Sequence, residues 1–473
     1  MEWLLGLHPF VGEILERLST AGHEAVVVGG AVRDAILSVQ SGETYAPEDV
    51  DIATSASPEE VRELFPDCKV LTVGEAFGVV VLVAPDGQEY EVATFRTEEG
   101  YADGRRPDRV RFASLPADLR RRDFTINGLA ATADGKVIDL VGGLPDLGAG
   151  LIRTIGDPWA RFSEDYLRML RAVRFACQLG FQIEGTTQAA IVKNAEKIKK
   201  ISWERIRDEL LRILATPRGA VGMELLAELG LLSAILPEIA ALRGVPQPEV
   251  YHPEGDVFVH TMAALRVADG VWDDPILKLG ILFHDAGKPK SLARAEGEHM
   301  GGHEVIGAVL AEEALRRLRL PIRQIEHVKF LVREHMRVGR LADMGLGKQV
   351  RLLAAGEREE APLWDLPHRF PPFADLLRLS ICDAEASAHR SSAWLPLLSQ
   401  AVRLMLHVRR VHGIRRAREL ICGDDLLAMG EPPGPRLGEV LAEVHERILA
   451  GEITTREEAL SLAARLLGQD PPG

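Results

Sequence analysis

Between Val26 and Ile52 the chain reads VVVGGAVRDAILSVQSGETYAPEDVDI, and this stretch limits the possible folds more than any other. Val26-Val27-Val28 run into Gly29-Gly30, and a helical pattern starts at once with Ala31-Val32-Arg33-Asp34. The pattern predicts a strand, a tight glycine turn and a helix N-terminus. Such a turn brings backbone N–H groups and a positive helix end close to an anion with no side chain in the way. Asp49-Val50-Asp51 follows, then Ile52 and a Ser/Thr/Pro turn. Residues two apart on a strand share a face, so Asp49 and Asp51 set two carboxylates side by side. At a spacing of ~4 Å and an effective dielectric of about 20, two such charges repel by roughly 4 kcal/mol. A divalent cation relieves that repulsion, and hard oxygen ligands favour Mg²⁺. A phosphate cradle beside a metal-ready carboxylate pair suits phosphoryl or nucleotidyl transfer. Each half alone has a plainer reading: an ordinary turn before a helix, and a solvated acidic strand.

At 473 residues the chain is too long for one core, and several domains are expected. The net charge of −14 argues against indiscriminate nucleic-acid binding but leaves room for a local basic surface. Cys68, Cys177, Cys382 and Cys422 are far apart and in no CxxC spacing, as free thiols of a reducing cytosol would be. Met1 to Phe10 lacks the basic start of a signal sequence. No apolar run approaches the ~20 residues of a membrane span. These features predict a soluble cytoplasmic protein with no membrane partner.

Val11, Ile14, Leu15 and Leu18 recur at helical spacing, predicting an amphipathic helix over 11–22. Ser57-Pro58-Glu59-Glu60 is a helix start, and 78–84 and 89–95 read as strands paired around Pro85-Asp86-Gly87. The first ~140 residues therefore form an α/β unit with a mixed sheet. Beyond Asp157-Pro158 the chain turns to helix after helix. The expected domains are 1–150, 151–240, 241–395 and 396–473.

Further chemistry-bearing stretches follow the aspartates. Glu89 and Glu91 share a strand face, so either is a candidate third carboxylate; both could equally be surface residues of an edge strand. Residues 101–109 form a polar loop rich in arginine, and Arg120-Arg121-Arg122-Asp123-Phe124-Thr125-Ile126-Asn127 is expected to open a helix near Asp123. Arginines beside a glycine turn suit triphosphate or an RNA backbone. From Ser163 the text EDYLRMLRAVRFA is strongly helical. Asp165 and Arg168, like Arg171 and Arg174, are three apart and so neighbours on a helix face. The plain reading is an i,i+3 salt bridge. The sharper one is an acceptor–donor pair that reads a base edge.

GGAVRD, DVD, ATFR, RRDFTING and EDYLRMLRAVRFA, in this order, resemble the class II tRNA nucleotidyltransferases, the CCA-adding enzyme and bacterial poly(A) polymerase family. The likeness includes SWERIRDEL and resumes at GDDLL near residue 423. The resemblance implies an α+β fold: a polymerase-β-like nucleotidyltransferase head followed by all-α neck, HD and tail domains. It implies that Asp49 and Asp51 hold catalytic Mg²⁺, and that Gly29, Gly30 and Arg33 cradle the triphosphate. Arg122, Asp123 and Asn127 would meet the ribose or phosphates of the nucleotide. Asp165 and Arg168 would pair with CTP and then ATP, with Arg171 and Arg174 supporting the triphosphate. The arginine loop matches one tied to switching from C to A addition. The implied partners are tRNA, CTP and ATP; oligomeric state is not implied.

A second set lies downstream: His260, His284-Asp285, His303, His335 and Asp383. An adjacent His-Asp pair on a helix, with a histidine before it and an aspartate far after it, is a metal-ligand set, although a single histidine is most often structural. In this order the residues resemble the HD phosphohydrolase domain. That resemblance implies His260, His284, Asp285 and Asp383 as ligands of one metal, with His303 and His335 for a second ion or a phosphate. Imidazole plus carboxylate suits Mn²⁺, Ni²⁺, Fe²⁺ or Mg²⁺. In the tail, Arg403, Arg409, Arg410, Arg415, Arg416 and Arg418 make a basic run that could hold tRNA or be a solvated face.

The leading expectation is template-independent addition of CCA, or of its terminal A, to tRNA 3′ ends. The nearest rivals are an A-adding specialist and a poly(A) polymerase. From another class, the chain could chiefly be a metal phosphohydrolase of 2′,3′-cyclic or 2′-phosphates, or an RNA-binding protein with inactive sites.

Overall fold

The computed structural model describes residues 8–42, 50–71, 78–99, 109–247, 255–294, 300–358, 360–362, 364–387, 394–411 and 413–468. Asp49, the loop over 101–108 and the stretch 251–254 lie outside the described residues. The chain divides into two compact units, Met1–Ile235 and Leu236–Gly473.

The first unit is built on a seven-stranded sheet, with two further strand pairs beside it. Helix α1 (Pro9–Thr20) precedes strand β1 (Ala25–Val28), whose four residues are all buried. Helix α2 (Gly30–Ser41) starts directly after Gly29, which adopts φ 77° and ψ −136°, a conformation open mainly to glycine. Strand β2 (Asp51–Thr54) returns antiparallel to β1. Helix α3 (Pro58–Leu64) opens on a reciprocal capping box, with Ser57 and Glu60 each accepting from the other's backbone N–H. Such a cap stabilises a helix end by about 1 kcal/mol.

Strand β3 (Lys69–Leu71), β4 (Val79–Val83) and β5 (Glu89–Thr94) complete one flank, and β4 and β5 form the expected hairpin. A separate hairpin joins β6 (Arg96–Glu99) to β7 (Arg109–Phe112), followed by α4 (Leu115–Arg120). The other flank is β8 (Leu129–Ala131) and β9 (Val137–Asp139), followed by α5 (Gly143–Ala149). The sheet order is β3-β4-β5-β2-β1-β8-β9. Val26, Val28, Ala53 and Ala130 pack with Phe95, Leu115 and Leu119 on one face of it.

Two expectations change here. β5 is not an edge strand, since β2 and β4 flank it on either side. The segment around Asp123 opens no helix: Arg120 ends α4, Thr125–Asn127 make one 3₁₀ turn, and β8 follows. The run Leu129-Ala130-Ala131 is apolar enough to join the sheet beside β1, and that pairing overrides the local helical pattern.

Helices then take over. Asp157 caps α6 (Pro158–Glu164), and α7 (Arg168–Leu179) follows after a break at Asp165, whose backbone is extended at φ −151° and ψ 106°. Ser163 therefore sits inside α6, its hydroxyl donating to the Ala160 carbonyl, and does not cap. Helix Trp203–Ala215 packs against α7, and helix Gly185–Asn194 packs against α6. The second unit is helical among its described residues, apart from an isolated bridge between Pro246 and Asp256. No helix among the described residues is long and apolar enough to cross a membrane.

Candidate active site

At the Gly29 end of β1 a cavity of about 410 Å³ gathers ten of the residues singled out in the sequence. They are Gly29, Gly30, Arg33, Asp51, Arg122, Asp123, Asn127, Asp165, Arg168 and Arg171. Asp51 pairs with Val28 across the strands, which puts its carboxylate beside the glycine turn. A Cβ on Gly29 would stand 3.7 Å from Asp51 Oδ2 and 3.0 Å from Arg122 Nη1, so glycine leaves the space that cation and anion share. One residue before the parallel Ile52–Val92 pair stand Asp51 and Glu91, both exposed on the same sheet face. Of the two glutamates, Glu91 is therefore the one next to Asp51.

The cradle arginines are held, not loose. Arg33 is buried; its Nε and Nη2 donate to Asp34 and its Nη1 donates to Asn127 Oδ1 at 2.7 Å. Asp123 accepts from the Phe124 N–H and Asn127 Nδ2 through one oxygen, and from Arg171 Nε at 2.7 Å through the other. Burial pushes the Asp123 carboxyl up, but Arg171 and Asn127 outweigh it and bring it down to about 2. Asp118, buried below the turn, accepts from Arg121 at 2.9 Å and from Arg122 at 3.4 Å. Arg174 is absent from the cavity lining and instead donates to buried Glu209 at 2.7 Å.

Asp165 and Arg168 depart from the expected i,i+3 salt bridge. Asp165 lies in the break between α6 and α7 and is clamped by Arg205, whose two Nη atoms approach its two oxygens at 3.3 and 2.6 Å. Arg168 donates to Glu164, to the Arg161 carbonyl at 2.9 Å and to the Arg121 carbonyl at 3.3 Å. Helical spacing alone suggested partners three apart, but the break turns Asp165 toward Arg205 on helix Trp203–Ala215. Arg205 and Phe175 also line the cavity, and both escaped the sequence reading as site residues. Their signal was present in SWERIRDEL and RAVRFA, where the charges around them drew the eye instead.

In the second unit, six residues from five segments meet. His260 comes from helix Val257–Asp269, His303 begins helix His303–Arg317, His335 is on helix Ile322–Val338 and Asp383 on helix Pro371–Ala386. His284-Asp285 occupy the turn after helix Pro275–Phe283 rather than a helix interior. Two triads result, His260-His284-Asp285 and Asp285-His303-His335, with Asp285 common to both. Asp383 reaches His260 Nε2 at 2.9 Å and His284 Nε2 at 3.9 Å. Lys288 Nζ lies 2.6 Å from Asp285 and donates to Gln247.

The donor set fits divalent metal. The Nδ1 atoms of His284, His303 and His335 face the carbonyls of Ile281, Met300 and Val332, which turns each Nε2 atom inward. His284 Nε2 is buried 3.3 Å from Asp285 Oδ2. Burial lowers the His284 imidazole, but Asp285 and Asp383 outweigh burial and raise it to about 9 without metal. The Nε2 atoms of His303 and His335 stand 3.2 Å apart. Burial raises the Asp285 carboxyl, but His284 and Lys288 dominate and hold it well below the usual range, so it remains an anion. Burial together with the His284 charge lowers His335 to about 4, the neutral ligand form.

Residues 25–153 match the Poly A polymerase head domain, 257–363 the HD domain, and 406–464 a tRNA nucleotidyltransferase domain 2. The chain is 34% identical over 454 residues to the CCA-adding enzyme of Latilactobacillus sakei, covering 96% of each. It is 48% identical over 219 residues to that of a Geobacillus strain, spanning 52% of that relative's length. The crystal structure of the Bacillus stearothermophilus CCA-adding enzyme in complex with CTP superposes with a TM-score of 0.64 at 28% identity, over 99% of this chain and 98% of that one. On the near full-length match above all, the chain belongs to the CCA-adding enzyme family.

Proposed function

We propose that this chain adds C, C and A to tRNA 3′ ends from CTP and ATP, in the cytoplasm. The observation that carries this reading is the cavity that unites Asp51, the Gly29 turn and the Asp165–Arg205 clamp. The relatives' name and the CTP in the B. stearothermophilus structure support it. Gly29, Gly30, Arg33, Arg122 and Arg171 present N–H groups and positive charge to the triphosphate. Asp123 and Asn127, tied to Arg171 and Arg33, orient the ribose end.

On the Watson–Crick edge cytosine and adenine each offer an exocyclic amine beside a ring-nitrogen acceptor, whereas guanine and uracil present a protonated ring nitrogen there. Asp165 keeps lone pairs beyond those that Arg205 takes, and Arg168 spends three of its five N–H groups on Glu164 and the two carbonyls. Both therefore retain capacity for the base edge. A bidentate match of this kind is worth ~1–3 kcal/mol of discrimination. Bound by Asp51 with Asp49, Mg²⁺ ions would lower the pKa of the RNA 3′-hydroxyl and neutralise the leaving pyrophosphate. Glu91 stands where a third carboxylate would complete that set. The exposed Arg403, Arg409 and Arg418 offer a tRNA contact in the tail; the side chains of Arg410, Arg415 and Arg416 lie outside the described residues.

The shared Asp285 of the two histidine triads favours a second activity, metal-dependent hydrolysis of phosphate esters, with 2′,3′-cyclic and 2′-phosphates as the substrate class. Primer extension on tRNAs ending at the discriminator base, at C and at CC tests the main reading. Extension of the bare tRNA to CCA supports it. A single A added only to the CC end marks an A-adding specialist, and long A tails mark a poly(A) polymerase. Asp51→Ala is expected to abolish extension; persistence of transfer would remove Asp51 from the metal site.

A further inference from the structure

Three guanidinium groups surround one aromatic ring beneath the nucleotide cavity. The Cζ atoms of Arg174, Arg33 and Arg171 lie 4.1, 5.2 and 5.3 Å from the Phe175 ring centroid. Arg171 and Phe175 are one turn apart on α7, while Arg33 arrives from α2. The ring is only 5% exposed, yet it lines the cavity, and its other contact is an edge-to-face approach to Phe124 at 5.8 Å.

Three like charges converging on one spot need compensation. Asp34 pairs with Arg33 and Asp123 with Arg171, while Glu209 pairs with Arg174 at 2.7 Å and lies 4.0 Å from Arg171 as well. Those carboxylates come from three elements: α2, the segment before the 3₁₀ turn, and helix Trp203–Ala215. The π face is the single group that all three cations share, and a desolvated aromatic face attracts guanidinium without neutralising it. A further carboxylate in the same place would cancel the positive potential that a triphosphate requires; a ring does not.

We infer that Phe175 is a positioning residue for nucleoside triphosphate binding: its π face holds Arg33 and Arg171 at the cavity wall, with Arg174 packed against the same ring outside the lining. The inference rests on the transfer reading above. It implies that the electronic character of the ring, rather than its volume, sets affinity for the phosphates.

The test replaces Phe175 with 3,4,5-trifluorophenylalanine, which keeps the ring's shape while draining its π face, and compares it with Phe175→Leu. Kd values for CTP and CMP are measured by calorimetry on the full chain, with thermal melting alongside. In the fluorinated protein the CTP Kd is expected to rise about tenfold, the loss of most of a desolvated cation–π contribution. CMP affinity and Tm should hold. Phe175→Leu should weaken CTP at least as much. Equal weakening of CTP and CMP, or a fall in Tm with them, would make Phe175 a packing residue and overturn the proposal. Unchanged CTP affinity in the fluorinated protein would overturn it too. A wild-type chain that binds no nucleotide would instead remove the transfer reading on which the proposal stands.

Discussion

At the scale of single residues, the carboxylates of this site are defined by their clamps. Arg205 holds Asp165 through both oxygens, so Arg205→Ala should free the carboxylate to rotate. We expect kcat/KM with CTP to fall roughly ten- to hundredfold and misincorporation of UTP and GTP to rise, since a bidentate match is worth ~1–3 kcal/mol. Single-nucleotide extension with each of the four triphosphates measures both. Asp123 gives a pH-dependent counterpart. Its folded value of about 2 lies below the ordinary 3.8, so the stabilisation is complete above that ordinary value and is lost as pH falls through the folded one. The shift corresponds to about 2 kcal/mol. Asp123→Asn should therefore melt at lower temperature than wild type at pH 6, with the gap narrowing below pH 4. Residue identities were legible in the sequence because Asp51, Arg33, Asp123 and Asn127 sit in ordered motifs. Their partners were not: Asp118 and Arg205 act through hydrogen bonds that only the folded chain brings within reach.

At the scale of elements, α1, α3, and the β4–β5 hairpin were legible because caps, turns and hydrophobic periodicity agree there. The failures fall where a short element meets a tertiary demand. Leu129–Ala131 is too short to declare itself and becomes a strand by pairing with β1. The break at Asp165 interrupts a strongly helical text, and it places the side chain where a continuous helix would not. A tight approach in the second unit was equally silent. A Cβ on Gly287 would lie 2.0 Å from the His303 carbonyl oxygen and 2.7 Å from the Gly307 nitrogen. Gly287→Ala must push helix His303–Arg317 away from the His-Asp turn, at a cost of about 1–3 kcal/mol. Lower divalent-metal affinity and a lower Tm of the chain are expected, by calorimetry and thermal melting.

At the scale of the whole molecule, each compact unit carries its own acidic centre, Asp51 in Met1–Ile235 and Asp285 in Leu236–Gly473. Asp285→Ala removes the carboxylate common to both triads. It should abolish Mn²⁺- or Ni²⁺-dependent hydrolysis of 2′,3′-cyclic AMP and leave CCA addition within about twofold of wild type. Asp51→Ala should do the converse. Loss of both activities in either variant would mean that the two centres are not chemically separate. The order of a sheet-bearing head before a mostly helical remainder was legible because strand signals thin out near residue 150. The short parallel pair Leu151–Ile152 with Gln182–Ile183 left no signal, and the compact units divide at Ile235.

The place of β2 in the sheet has a last consequence. With β5 on one side and β1 on the other, the amides of Ile52, Ala53 and Thr54 belong to a strand hydrogen-bonded along both edges. In D₂O these amides should be among the slowest in the head to exchange, opening only with the unit as a whole. The strand that bears Asp51 would then act as a still anvil. Any deuterium label that responds to CTP or ATP should appear elsewhere, at the Asp165 break and the first turn of α7.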